Sequence, residues 1–253
     1  MSTTAESAAA PALPVFYRNP VPVDAARHAR MGLRSVFSLA FARDTNALLL
    51  TSSEFAMAAR TYPIVFSGGG QTLPFAIVGL RDRENLFVDA AGKWRDDAYI
   101  PAYVRRYPFI FSETPGSTRL LLCMDEGAEC LEAESQRPLF ADGKPTETLQ
   151  NVLKFCEAFQ AQHHDTIELS RWLDQNGMLE DRIAQAELEG GQTFTLRGFR
   201  LINIEKMRAL NDAQVLELHK RGWLPLMHFH LQSLNNFGPL SRLMRERGRP
   251  AAA

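Results

Sequence analysis

The chain is predicted to adopt an α+β fold, a largely antiparallel sheet with short helices followed by a mostly helical C-terminal part. Three observations carry that prediction. Between Tyr62 and Trp94 three short apolar runs, Ile64–Phe66, Phe75–Leu80 and Leu86–Val88, are joined by turn-rich connections. Parallel strands would need crossovers of about a dozen residues, which this stretch lacks, so an antiparallel meander is expected. From Pro145 onward the pattern changes: Leu149, Val152, Leu153, Cys156 and Phe159 follow a helical period. Between these parts lies YIPAYVRRYPFIF (99–111). There Tyr99, Tyr103 and Tyr107 recur every four residues and so share one helical face. Pro101 suits the first turn of that helix, Pro108 stops it, and Phe109–Phe111 reads as a buried strand.

Taken in order, residues 1–14 have small and polar residues without a basic or apolar leader region. They are expected to form a disordered tail rather than a secretory signal. Pro20 and Pro22 exclude a central strand nearby. Val36–Phe41 and Asn46–Leu50 read as strands. Ser52 or Ser53 is a candidate cap for a short helix reaching Arg60, with Glu54 near its positive end. Ser67–Gly70 invites a phosphate-cradle reading. Yet it leads into the strand-like TLPFAIVGL and lacks a Lys-Ser/Thr pair, so a hairpin loop is expected. Leu120–Met124 is another strand, Asp125–Arg137 is acidic and unpatterned, and Asp142-Gly143 marks a turn.

Pro145 is placed in the first turn of the helix that follows. His163-His164-Asp165 is expected to interrupt it, before a second helix at Ile167–Asp174 ended by Asn176-Gly177. Thr193–Asn203 reads as a strand or hairpin, and Ile204–Leu210 as a helical turn or two. Asn211 with Gln214 starts a further helix ended by Gly222, on which His219 is expected to line a packed face. Trp223–Arg247 is apolar, then amphipathic. This gives a sheet-rich part at 15–140, a mostly helical part at 141–245, the two either sharing one core or standing as separate domains, and a frayed tail at 246–253.

With 45% hydrophobic and 23% charged residues and a formal net charge of −1, the chain has the composition of a soluble globular protein. It lacks the basic excess of a nucleic-acid binder. No apolar run approaches the ~20 residues of a membrane-spanning helix. A cytoplasmic location is expected. Cys123, Cys130 and Cys156 fit neither a disulfide framework nor a zinc pattern, and are expected to be small buried hydrophobes.

The candidate binding residues are Trp94, Tyr99, Tyr103, Arg105 and Arg106. Arginine presents a planar fork to carboxylate or phosphate, and aromatic faces suit sugars or cations. The competing expectation is structural: the tyrosines pack the helix on the sheet while the arginines pair with Glu84, Asp96 or Asp97. For metal chemistry, the H-x-D spacing of His163 and Asp165, with His228 and His230 downstream, makes His163, Asp165 and His228 a candidate two-histidine, one-carboxylate set, which would hold Fe(II) for oxygen chemistry. The serines lack a G-x-S-x-G context. The cysteines lack electropositive neighbours. Nothing selects Glu113, Asp125 or Glu126 as a catalytic pair.

Several blocks together resemble the SapC family of bacterial proteins. They are Tyr62–Phe66, Val78–Leu80, Glu84–Asp89, Gly92–Trp94 and 99–109, then Leu139-Phe140 with Asp142-Gly143 and Pro145-Thr146. Later come Gly198-Phe199, Gly222–Leu224 and Leu231–Asn235. The resemblance covers roughly residues 14–245. It implies a protein named for a bacterial surface layer, without assigned chemistry, in a family encoded near halogenase-like proteins and TonB-dependent outer-membrane receptors. A membrane permease shares the name, but this chain lacks its spans. The expectation is therefore a soluble accessory or binding protein linked to surface-layer, glycan or outer-membrane uptake physiology. It needs no cofactor, and its partner is a protein or a glycan-related small molecule. The alternative is a non-haem iron, oxygen-dependent enzyme.

Overall fold

The structure, a computed structural model, describes residues 13–113, 120–187 and 193–248. Residues 1–12 and 249–253 of the expected tails lie outside the described residues. The largest sheet has five antiparallel strands. Its centre is the hairpin of β4 (Ile64–Ser67) and β5 (Pro74–Ile77), which follow β1 (Pro20–Pro22), β2 (Met31–Leu33) and β3 (Ala47–Leu49) in the chain. β3 pairs with β5 on one side. On the other side β12 (Thr193–Ile202) pairs with β4 through Phe199 and Arg200, and β11 (Leu179–Glu187) pairs with β12. A second sheet has β7 (Leu120–Asp125) between β1 and β6 (Phe109–Glu113). β2 pairs with β8 (Leu131–Ala133), and β9 (Phe140–Ala141) with β10 (Lys144–Pro145) across the Asp142-Gly143 turn.

The helices are α1 (Phe55–Ala58), α2 (Ala102–Arg105), α3 (Glu147–Gln175), α4 (Ile204–Arg208), α5 (Asp212–Lys220), α6 (Leu224–Ser233) and α7 (Phe237–Gly248). The architecture is thus α+β, with antiparallel sheets, short helices and a helical C-terminal part. No described helix is long and apolar enough to cross a membrane.

Several expectations need correction. Leu86–Val88 is not a third meander strand; only Val88 bridges, to Trp94. The buried Asn85 explains this: its amide donates to Ala42 O and its Oδ1 accepts from Phe87 N at 2.9 Å each, curling the run into a turn. Val36–Phe41 is not a strand. Val36 is 88% exposed, and Ser38 Oγ accepts from Ala40 N to start a 3-10 turn at Ala40–Ala42. That turn directs Phe41 onto the Tyr107 ring, 4.2 Å between centroids. The helix after β3 is capped at Thr51 rather than at Ser52 or Ser53, through a 3-10 turn over Ser52–Glu54.

α3 is one helix of 29 residues, not two. Residues 163–165 contain neither glycine nor proline, so nothing breaks the i→i−4 ladder. Pro145 lies in β10, and Thr146 is the N-cap, accepting from Leu149 N. Gly177, at φ +61°, ends α3, as glycine does where the chain turns left-handed. His219 is exposed; its neighbour Leu218 fills the packed face of α5. β11 carries the charged pattern LEDRIAQAE, which hid it from a hydrophobic reading.

The main core runs from Ala42 to Met244. It joins Tyr62, Phe66, Phe87 and Trp94 of the sheet-rich part to Phe159, Leu173, Trp223, Leu240 and Met244 of the helices. A smaller core gathers Tyr17, Leu33, Tyr107, Phe109, Met124, Leu139, Leu149 and Cys156. α3 contributes to both.

Candidate functional site

The site starts from a single buried carboxylate. Glu54 Oε1 accepts from Ala102 N at 2.6 Å and from the Tyr99 hydroxyl at 3.0 Å. Its Oε2 accepts from Thr51 N at 2.8 Å and from the Thr51 hydroxyl at 2.9 Å. A buried carboxylate with its lone pairs filled in this way fixes whatever donates to it. Here it fixes the entry to α2, where Pro101 precedes the first helical residue. Burial, with the Glu54 charge adding to it, pushes the Tyr99 phenol up to about 12.

Tyr99, Tyr103 and Tyr107 do not form one ladder, because α2 is only four residues long. Each goes its own way. Tyr99 reaches Glu54, Tyr103 donates to Val15 O at 3.0 Å, and Tyr107 reaches Asp125 at 3.4 Å. Burial raises the pKa of all three phenols. Trp94 is buried; its ring stacks on Phe87 and its Nε1 donates to the Tyr62 hydroxyl at 3.2 Å. The Tyr62 hydroxyl in turn donates to Tyr99 O at 2.5 Å. Trp94 therefore reaches Tyr99 through the core and presents no open face.

The two arginines diverge. Arg105 is exposed; Nε donates to Ile100 O at 3.0 Å and Nη2 to the Tyr99 hydroxyl at 2.9 Å. Its guanidinium stands 5.6 Å from the Tyr99 centroid and 5.2 Å from that of Phe155. Arg106 is sandwiched, 4.5 Å from the Tyr103 ring and 4.4 Å from Phe159. Phe155 and Phe159 are one turn apart on α3, so consecutive guanidiniums dock α2 against consecutive rings of that helix. The expected ion pairs are not formed. Glu84 binds Arg81 at 3.0 Å, Asp96 binds Lys93 at 2.7 Å and Asp97 binds Arg95 at 3.1 Å. Those acids find cations two or three residues away, leaving Arg105 and Arg106 without a carboxylate among the described residues.

His163 lies one turn beyond Phe159, its ring stacked on the phenyl at 6.0 Å. Its Nδ1 and Arg106 Nε are both buried without a hydrogen-bond partner. Burial and the Arg106 charge hold the imidazole below its ordinary pKa. Asp165, on another face of α3, accepts from Ser52 Oγ at 3.0 Å. His228 is exposed on α6. The structure does not bring His163, Asp165 and His228 together, and among the described residues no group of three His, Cys, Asp or Glu side chains is placed to hold a metal.

The remaining candidates are tied into the scaffold. Asp125 is buried and accepts from Arg18 N at 2.8 Å and Asn19 N at 3.0 Å. Glu126 takes Arg27 at 2.5 Å and His28 at 2.9 Å. This adjacent pair holds the N-terminal segment on the end of β7. The side chain of Glu113 lies outside the described residues. All three cysteines are buried and free, and burial pushes the Cys130 and Cys156 thiols up to about 11, far from a reactive thiolate.

Sequence reasoning missed Glu54 as the organiser of this region. Thr51-x-x-Glu54 has capping-box spacing and was the available signal. It also missed Tyr17 and Phe155, which have no local mark because their role depends on long-range packing, and it placed Phe159 on the apolar period of the helix without showing that this ring seats Arg106. No curated protein and no solved structure matches the chain. The SapC family does match, over residues 23–240. That span holds every block of the resemblance and the whole Glu54–Arg106 region: the chain belongs to the SapC family.

Proposed function

We propose that this protein is a non-catalytic accessory or binding protein, working from the cytoplasm in surface-layer, glycan or outer-membrane uptake physiology. In this reading the face bearing Arg105 and Arg106 recognises an anionic or glycan group on its partner. The supporting observation is that both guanidiniums are held on aromatic rings with no carboxylate partner among the described residues. Arg105 in particular is exposed and already oriented by Ile100 O and Tyr99. An oriented, uncompensated fork is suited to a carboxylate or phosphate. Trp94 and Tyr103 support this face from the core.

The experiment is affinity capture from the native bacterium with wild type, Arg105→Ala and Arg106→Ala, followed by mass spectrometry of proteins and small molecules. A partner retained by wild type and lost with Arg105→Ala, at unchanged melting temperature, supports the reading. Equal capture by both variants, with only stability lowered, assigns the arginines to packing and ends it.

A further inference from the structure

A second cleft, sharing no residue with the Arg105–Arg106 face, has the makings of a small-molecule site. It encloses about 400 Å³ between the end of α1, the Phe87 turn, the Arg95–Asp97 loop and α7. That volume suits a small ligand. Arg60, Arg95 and Arg242, each from a different element, line it. Arg95 is bound by Asp97 through two 3.1 Å hydrogen bonds. Arg60 and Arg242 are exposed and have no carboxylate partner among the described residues. Arg242 lies back along α7, its Nη1 4.0 Å from where a Cβ on Gly238 would stand.

The walls are fixed independently of any ligand. Asn236 donates to Ala59 O at 2.8 Å and Tyr62 O at 3.2 Å, tying the α6–α7 junction to the end of α1. Arg247 donates to Asn85 O and Val88 O, tying the far end of α7 to the Phe87 turn. Phe87 and Leu240 give an apolar floor, while Thr61, Asp97 and Glu246 add polar groups. Glu246 stands close enough to act on Arg95.

We infer that this cleft binds a small oxyanion carried on a hydroxyl-bearing body, the chemistry of a phosphorylated or acidic sugar. The two uncompensated guanidiniums take the oxyanion. Thr61, Asp97 and Glu246 take hydroxyl groups, which need acceptors as well as donors. Fixed walls limit the ordering cost of binding.

The test is titration of the full chain with inorganic phosphate, glucose 6-phosphate, glucuronate and glucose, followed by calorimetry and by amide chemical shifts. Saturable binding of at least one of the two anionic sugars is expected, with shifts centred on Thr61, Arg95 and Leu243. Which of the two binds separates phosphate from carboxylate as the recognised group. Glucose should not bind. Arg60→Gln and Arg242→Gln should each weaken binding by about tenfold or more, the loss of one charged hydrogen bond. Arg105→Ala should leave it unchanged, which keeps this site separable from the proposed face. Absence of saturable binding by both anionic sugars, equal binding by the Gln variants, or shifts centred elsewhere on wild type overturns the inference.

Discussion

Glu54 carries more structure than any other single charged side chain described above. Replacing it with alanine leaves Tyr99, Thr51 and the Ala102 amide without their acceptor. Each buried donor left unsatisfied costs ~1–3 kcal/mol, so Glu54→Ala should lower stability by at least about 3 kcal/mol, read from urea unfolding. Glu54→Gln, which keeps one acceptor oxygen, should lose less. His230 is the second such residue. Its Nε2 accepts from Ile202 N at 3.1 Å, and full burial holds its pKa down to about 3 against an ordinary 6.5. Below pH 6.5 the unfolded chain takes up a proton that the native state refuses, so this contribution to stability is complete above 6.5 and lost as pH falls towards 3. The slope is at most ~1.4 kcal/mol per pH unit. Urea midpoints measured at neutral and mildly acidic pH should show it. His230→Gln, which cannot titrate, should remove that part of the pH dependence. Of these roles only the local half of Glu54's, its capping-box spacing from Thr51, is visible in sequence, because neither residue gives a sign of which distant amide it will meet.

At the scale of elements, α3 is the clearest departure from expectation. Three consecutive polar residues at 163–165 suggested a break, yet polar composition alone does not end a helix. His164→Pro should therefore cost about 3 kcal/mol or more, while His164→Ala at the same exposed position should be close to neutral, by thermal melting. If both were neutral, the continuous helix would be wrong. The glycine loop makes a finer distinction. Gly68 donates to Gly198 O at 2.9 Å, and a Cβ on Gly68 would come 2.7 Å from that oxygen. A Cβ on Gly69 would meet nothing within 4 Å. Gly68→Ala should destabilise by ~1–3 kcal/mol through forced backbone displacement, and Gly69→Ala should not. The β4–β5 hairpin, the Asp142-Gly143 turn, β6, β7 and the Asn211–Gln214 cap were readable, since each is set by residues adjacent in the chain. The pairing of β4 with β12 was not, because nothing local in either strand specifies a partner more than 130 residues away.

Across the whole molecule, the sequence conveyed the α+β class and the SapC membership, while the candidate binding residues were only partly brought to one place. Trp94 and Tyr103 proved to be core, Arg105 stayed outside, and of the anchoring rings of α3 Phe155 was absent from the prediction while Phe159 figured in it only as an apolar helix position. The main core takes side chains from both sides of position 140. Calorimetry should accordingly show one cooperative unfolding transition for both parts, since neither buries that core without the other. Leu240 and Met244 of α7 complete the same cluster that Ala42 and Leu48 begin. On the ribosome, then, the early strands emerge long before their covering helix has been translated. They must wait with apolar surface exposed, so a stalled nascent chain lacking α7 should remain open to protease until synthesis passes Met244.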